Sequence, residues 1–142
     1  IDPQYGQPTL LEVAGAKVTV FPLSHGTRKD ARIQNYGHLV ELGGTSVLHI
    51  GDAAMKPEDF KRAGLGQRKV HVALIPFLYF QPGPGSDLVR RYLDAPLKIA
   101  VHIPPDEVAE VKAFMAESFP KVVILERPLE RIRFSANPSP SP

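Results

Sequence analysis

The stretch Val70-His71-Val72-Ala73-Leu74-Ile75 is almost continuously apolar. A strand of that kind has to be buried on both faces, which is the condition of a strand inside a layered sheet. Leu97 to Val101 and Lys121 to Leu125 repeat the pattern, and helical signals lie between these strands. Pro57 to Ala63 has a proline and two acids at its front and Gly64 behind it. Ser86 is placed to cap a helix running to about Leu93. A third helix starts at Pro104, with Val108, Val111, Met115 and Phe119 on one stripe. Strands separated by helices need crossover connections and so run parallel. Upstream the pattern differs. Thr9 to Val13 and Lys17 to Phe21 form a hairpin around Ala14-Gly15-Ala16, and Gly37–Leu42 and Thr45–Ile50 form a second around Gly43-Gly44. Ser24 to Gln34 reads as a loop. Hairpins leading into β-α-β-α-β predict an α/β fold, a mixed sheet with helices on one face. Glu130 to Phe134 is predicted as a last short strand. Residues 1–134 then form one domain, and the Pro/Ser-rich residues 135–142 are expected to be disordered.

The bulk properties narrow the function classes. A chain of 142 residues with 43% hydrophobic content can bury a single core, and its net charge is only +2. Its basic residues are scattered, with small groups at Arg28, Lys29 and Arg32, at Arg90-Arg91 and at Arg131 and Arg133. That pattern argues against nucleic acid as a partner. There are no cysteines, so disulfides and thiolate ligands are excluded. No apolar run approaches the ~20 residues of a membrane span, and the reading of the N-terminal residues predicts no signal peptide. A soluble protein is expected, with a cytoplasmic location favoured over export. The start at Ile1-Asp2-Pro3 lacks a methionine and reads as a cut or processed end.

Three residues stand where chemistry could be held rigidly. His25 follows the strand ending near Phe21, Asp52 follows Gly51 after Thr45–Ile50, and His102 ends Leu97–Val101 just before two prolines. Ligand sites in α/β sheets collect at strand ends. Imidazole nitrogens and a carboxylate are ligands for a divalent metal, and Gly51 lets the turn stay tight. A Gly-Asp pair after a strand also makes an ordinary turn, and single histidines are commonly plain hydrogen-bonding residues. His49 is close enough to Asp52 to orient it, or it is a sheet-face histidine. His38 and His71 read as structural. Phe77, Tyr79 and Phe80 either wall a substrate pocket or pack the sheet edge.

Taken in order, several blocks resemble the metallo-β-lactamase superfamily, in particular the branch of ascorbate-6-phosphate lactonase-like metal-dependent hydrolases. They are Ser24-His25-Gly26, Asn35 to Gly44, Val47-Leu48-His49-Ile50-Gly51-Asp52-Ala53, Val72 to Phe77, and Ala100-Val101-His102-Ile103-Pro104-Pro105. The resemblance runs from about Lys17 to Phe134. It implies an αββα sandwich of which this chain forms the second βα half. It also implies His25 and His102 as metal ligands and Asp52 as a carboxylate bridging two ions. Zinc is the usual metal, with manganese or iron in some branches. The implied reaction is attack by a metal-bound hydroxide on a small ester, lactone or phosphate-containing substrate.

One departure limits this. The family's His-x-His-x-Asp-His motif, which supplies most ligands of one ion, is absent from the chain. The resemblance therefore implies a fragment of a hydrolase, inactive alone, whose partner is the missing N-terminal half or a second copy in a dimer. The competing expectation is a non-catalytic binding or assembly domain that keeps relics of a metal site.

Overall fold

In the computed structural model, residues 7–26 and 32–135 are described. Seven strands form one sheet in chain order: β1 (Thr9–Val13), β2 (Ala16–Ser24), β3 (Gln34–Leu42), β4 (Thr45–His49), β5 (Val72–Pro76), β6 (Leu97–Val101) and β7 (Val122–Ile124). The first four are joined antiparallel and the last four parallel. The change falls at β4, where tight turns give way to helical crossovers. Those crossovers are α1 (Pro57–Arg62), α2 (Pro84–Tyr92) and α3 (Val108–Ser118), with short 3₁₀ turns at Leu65–Gln67 and Phe77–Phe80. The fold is α/β with a mixed sheet, as the sequence predicts.

The register sorts the side chains into two faces. Phe21, Leu23, Leu39, Leu48, Ile50, Ala73, Ile75 and Ala100 join one core with Phe60 of α1, Leu88 and Val89 of α2, and Val111 and Met115 of α3. All three helices therefore lie on that face. The opposite face carries Val18, Val20, Val40, Val47, Val72, Leu74, Ile99 and Val101. Val20, Val72 and Ile99 are buried there yet stand outside the core that the helices cover. Among the described residues, no helix packs over them.

Several local expectations shift. α2 starts at Pro84 behind Gly83, and Ser86 is not its cap; its hydroxyl donates to the Gly83 carbonyl at 2.9 Å. The proline supplies a preset φ and lacks only an N–H that would be orphaned anyway. α3 begins at Val108, because Pro104 to Glu107 are spent on a turn closed by Glu107 N–H on the Pro104 carbonyl. β2 runs on to Ser24, and β3 already starts at Gln34, so the loop between them is shorter than expected. Glu130–Phe134 is not a strand. Glu130 instead accepts the N–H groups of Glu126 and Arg127 at 2.8 and 3.2 Å, closing a turn. Residues 136–142, with most of the expected disordered tail, lie outside the described residues. No described helix is long and apolar enough to cross a membrane.

The buried polar residues at the far end of the sheet are mutually satisfied. Ser46 N–H donates to His71 Nδ1 at 3.0 Å, His71 N–H donates to Ser46 Oγ at 3.2 Å, and that hydroxyl reaches the Lys69 carbonyl at 2.8 Å. His71 thus ties the start of β5 to β4, as its structural reading requires.

Candidate metal centre

β2 is antiparallel to β3 and β3 to β4, so β2 runs in the same direction as β4, β5 and β6. The chain positions just beyond β2, β4 and β6 therefore meet at one edge of the sheet. These are His25, Asp52 and His102, and the fold brings all three together. His25 Nε2 stands 3.1 Å from Asp52 Oδ2, although 27 residues separate them. His102 Nδ1 stands 3.8 Å from Asp52 Oδ1, too long for a hydrogen bond and close enough to share one site. The carboxylate lies between the two rings. It is the most exposed of the three at 61%, against 22% for His25 and 46% for His102.

Local structure holds each group. His25 pairs with Ala53 as an isolated antiparallel bridge, and Ala54 N–H donates to the Ser24 carbonyl at 2.7 Å. The chain after Asp52 therefore folds back along the end of β2. Buried Asp59 accepts the Ser24 N–H at 3.1 Å and an Arg62 N–H at 3.2 Å, fixing the residue before His25. His102 sits at φ +59°. That region is costly for a non-glycine residue and is found mostly at functional sites. Gly51 has φ +63°, and a β-carbon there would collide with Asn35 Oδ1.

His49 takes the first of the roles expected of it. Its Nδ1 accepts the Gly51 N–H at 2.9 Å, so it props the turn that presents Asp52. Its ring also lies edge-on to His102, with centroids 6.2 Å apart. Burial lowers its pKa, and the neighbouring His102 and His38 lower it further. The ring is thereby held neutral, as an acceptor has to be. His38 faces His49 across the β3–β4 pair and is exposed.

The three aromatics divide. Tyr79 and Phe80 are buried at 2% and 0% exposure and belong to the core, and Phe80 also lines a cavity of about 370 Å³ with Val89, Phe119 and Val122. Tyr79 hydroxyl donates to the Ala53 carbonyl at 2.7 Å, one residue from Asp52. Burial raises its pKa, and Asp52 and Asp59 add to the rise. Phe77 does line a cavity of about 600 Å³, with Gln81, Pro82, Glu107, Glu110 and Phe114. Sequence reading did not single out Asn35 or Asp59. An isolated Asn or Asp in a polar stretch carries no periodic or spacing signal, and only the register shows what each one touches.

The donor set suits a divalent ion in kind. Two imidazoles and a carboxylate converge, and His25 Nδ1 is buried with no hydrogen-bond partner among the described residues. Among those residues, however, no group of three or more His, Asp or Glu is arranged to hold an ion. Two histidines and one carboxylate are brought together here, short of such a group.

No known family profile matches the chain, and no curated relative does. Among solved structures, one that resembles it is described as a candidate zinc-dependent hydrolase of the metallo-β-lactamase superfamily from Thermotoga maritima. The two are 18% identical, with a TM-score of 0.47, over 69% of this chain and 47% of that one. The chain thus spans about half the length of that structure. Similarity of this degree fixes neither reaction nor substrate.

Proposed function

We propose that this chain carries part of the site of a metal-dependent hydrolase acting on a small ester, lactone or phosphate-containing substrate. The observation that carries the reading is the Asp52 carboxylate set between His25 and His102 at one edge of the sheet. In this reading the chain is the second βα half of an αββα sandwich. His25, Asp52 and His102 would serve as ligands for a divalent metal, zinc before manganese or iron. Such an ion supplies hydroxide at neutral pH by lowering the pKa of bound water toward ~7. The chain's own residues do the positioning. Asp52 hydrogen-bonds His25 and lies 3.8 Å from His102, whose backbone is left-handed. The remaining ligands come from outside the described residues.

The test is a zinc titration of this chain by calorimetry, together with turnover of a simple lactone and a phosphodiester. Zinc uptake near one equivalent, lost in Asp52→Ala, is expected even where turnover is absent. Equal zinc uptake by wild type and Asp52→Ala would overturn the reading. The absence of a three-residue ion-holding group among the described residues favours a second reading, a non-catalytic assembly domain with relics of a site. A chain that takes up no zinc and turns over neither substrate would support it.

A further inference from the structure

The Gly51-Asp52 turn is held by two side chains, His49 from the end of β4 and Asn35 from β3, and Asn35 bonds it twice. Asn35 sits near the start of β3, across the sheet edge from the turn. Its Oδ1 accepts the Asp52 N–H at 2.8 Å, and its Nδ2 donates to the Ile50 carbonyl at 3.2 Å. One amide side chain thus satisfies the backbone on both sides of Gly51. His49 accepts the N–H of Gly51 itself at 2.9 Å, so three successive backbone groups, from Ile50 to Asp52, are taken up by two side chains. No strand ladder could do this, because β4 has ended at His49 and the chain has turned out of the sheet. The fit is close. A β-carbon on Gly51 would run into Asn35 Oδ1 and come within 3.0 Å of the Tyr36 carbonyl oxygen.

We infer that Asn35 is a positioning residue for Asp52: by clamping the turn from both sides it fixes the carboxylate between His25 and His102. This rests on the proposed function only for its consequence, since the clamp itself is a matter of backbone hydrogen bonds. Asp52 is 61% exposed in its side chain, and a carboxylate in that setting samples several rotamers and backbone states unless its main chain is fixed. Loss of the clamp would leave the carboxylate present and its direction unset. Preorganised ligands of this kind lose about 10–100-fold in metal affinity when their supporting hydrogen bonds are removed.

The experiment compares wild type, Asn35→Ala and Asn35→Asp by amide hydrogen exchange and by zinc titration of the full chain. Asn35→Ala removes both bonds. Asn35→Asp keeps an oxygen for the Asp52 N–H, loses the donor to Ile50 and adds a negative charge, so its amide exchange is the cleaner readout and its zinc affinity is read beside it. Exchange at the Asp52 amide should accelerate at least tenfold in Asn35→Ala and less in Asn35→Asp, while amides in the β5–β6 ladder stay unchanged. Zinc affinity should fall about tenfold or more in Asn35→Ala, with partial recovery in Asn35→Asp. Unchanged Asp52 exchange in Asn35→Ala would overturn the clamp, whatever zinc does. Accelerated exchange in a chain whose wild type takes up no zinc would uphold the clamp and sink the metal reading alone. Uniform acceleration through the β5–β6 ladder would show general destabilisation and also overturn the assignment.

Discussion

At the scale of single residues, the site edge depends on backbone that few amino acids can adopt. Gly51 combines φ +63° with a collision course for any β-carbon. Gly51→Ala should therefore cost on the order of 2 kcal/mol or more, the sum of a strained left-handed residue and a displaced Asn35. Urea unfolding with an unchanged m-value measures it, and a loss below about 0.5 kcal/mol would mean that the turn relaxes freely. Tyr79 is a second case. Its hydroxyl is buried and donates to the Ala53 carbonyl, so Tyr79→Phe leaves that carbonyl without its donor. The expected cost is about 1–3 kcal/mol by the same measurement. Phe fills nearly the same space, so the change isolates the hydrogen bond and spares the packing. None of these contacts is visible in the residues themselves. Tyr79 reads as one of three aromatics in a row, and only burial separates it from Phe77.

The elements were legible to different degrees, for physical reasons. Strands β1, β5 and β6 and the two hairpins follow from alternation, apolar runs and glycine turns, which are local signals. That His25, Asp52 and His102 meet was also legible, because strand ends are set by those same signals. The start of α3 was not. Pro104-Pro105-Asp106-Glu107 looks like a helix opening, but two successive prolines serve a turn equally well, and the tertiary position of β6 decides between them. Glu130 shows the same limit. An Arg/Glu-rich alternation reads as a strand, while its carboxylate actually closes a turn on Glu126 and Arg127. Those backbone N–H donors hold the Glu130 carboxyl below its ordinary pKa. A depressed carboxylate pKa stabilises the fold above the unfolded value and loses that contribution as pH falls through the folded value. Amide protection at Glu126 should thus be present at neutral pH and decline below about pH 4.3. Glu130→Gln should reduce it at neutral pH, and protection that is flat across this range would remove the carboxylate as its cause.

At the scale of the whole molecule, all three helices pack on one sheet face, and among the described residues no helix covers the other. A sheet with apolar residues on both faces needs a cover on both. Here α1, α2 and α3 cover one, and Val20, Val72 and Ile99 on the other are buried outside the core that those helices cover. Toward the β1–β3 side, concealment fails: Val13, Val40 and Leu42 are 58%, 36% and 59% exposed. His49, on the same face, reaches the site edge at His102, so whatever covers this face also meets the candidate metal centre. Two covers suit the proposed half-sandwich, its first half or a second copy of the chain. Apolar exposure of this kind should drive self-association. We therefore expect sedimentation at micromolar concentration to give a dimer or larger species. Val40→Lys with Leu42→Lys should shift it toward monomer, because two desolvated ammonium groups oppose burial of the face. The helix-covered core does not contain either position, so the double variant should keep its cooperative unfolding. A wild-type chain that sediments as a clean monomer would remove the second copy as the cover.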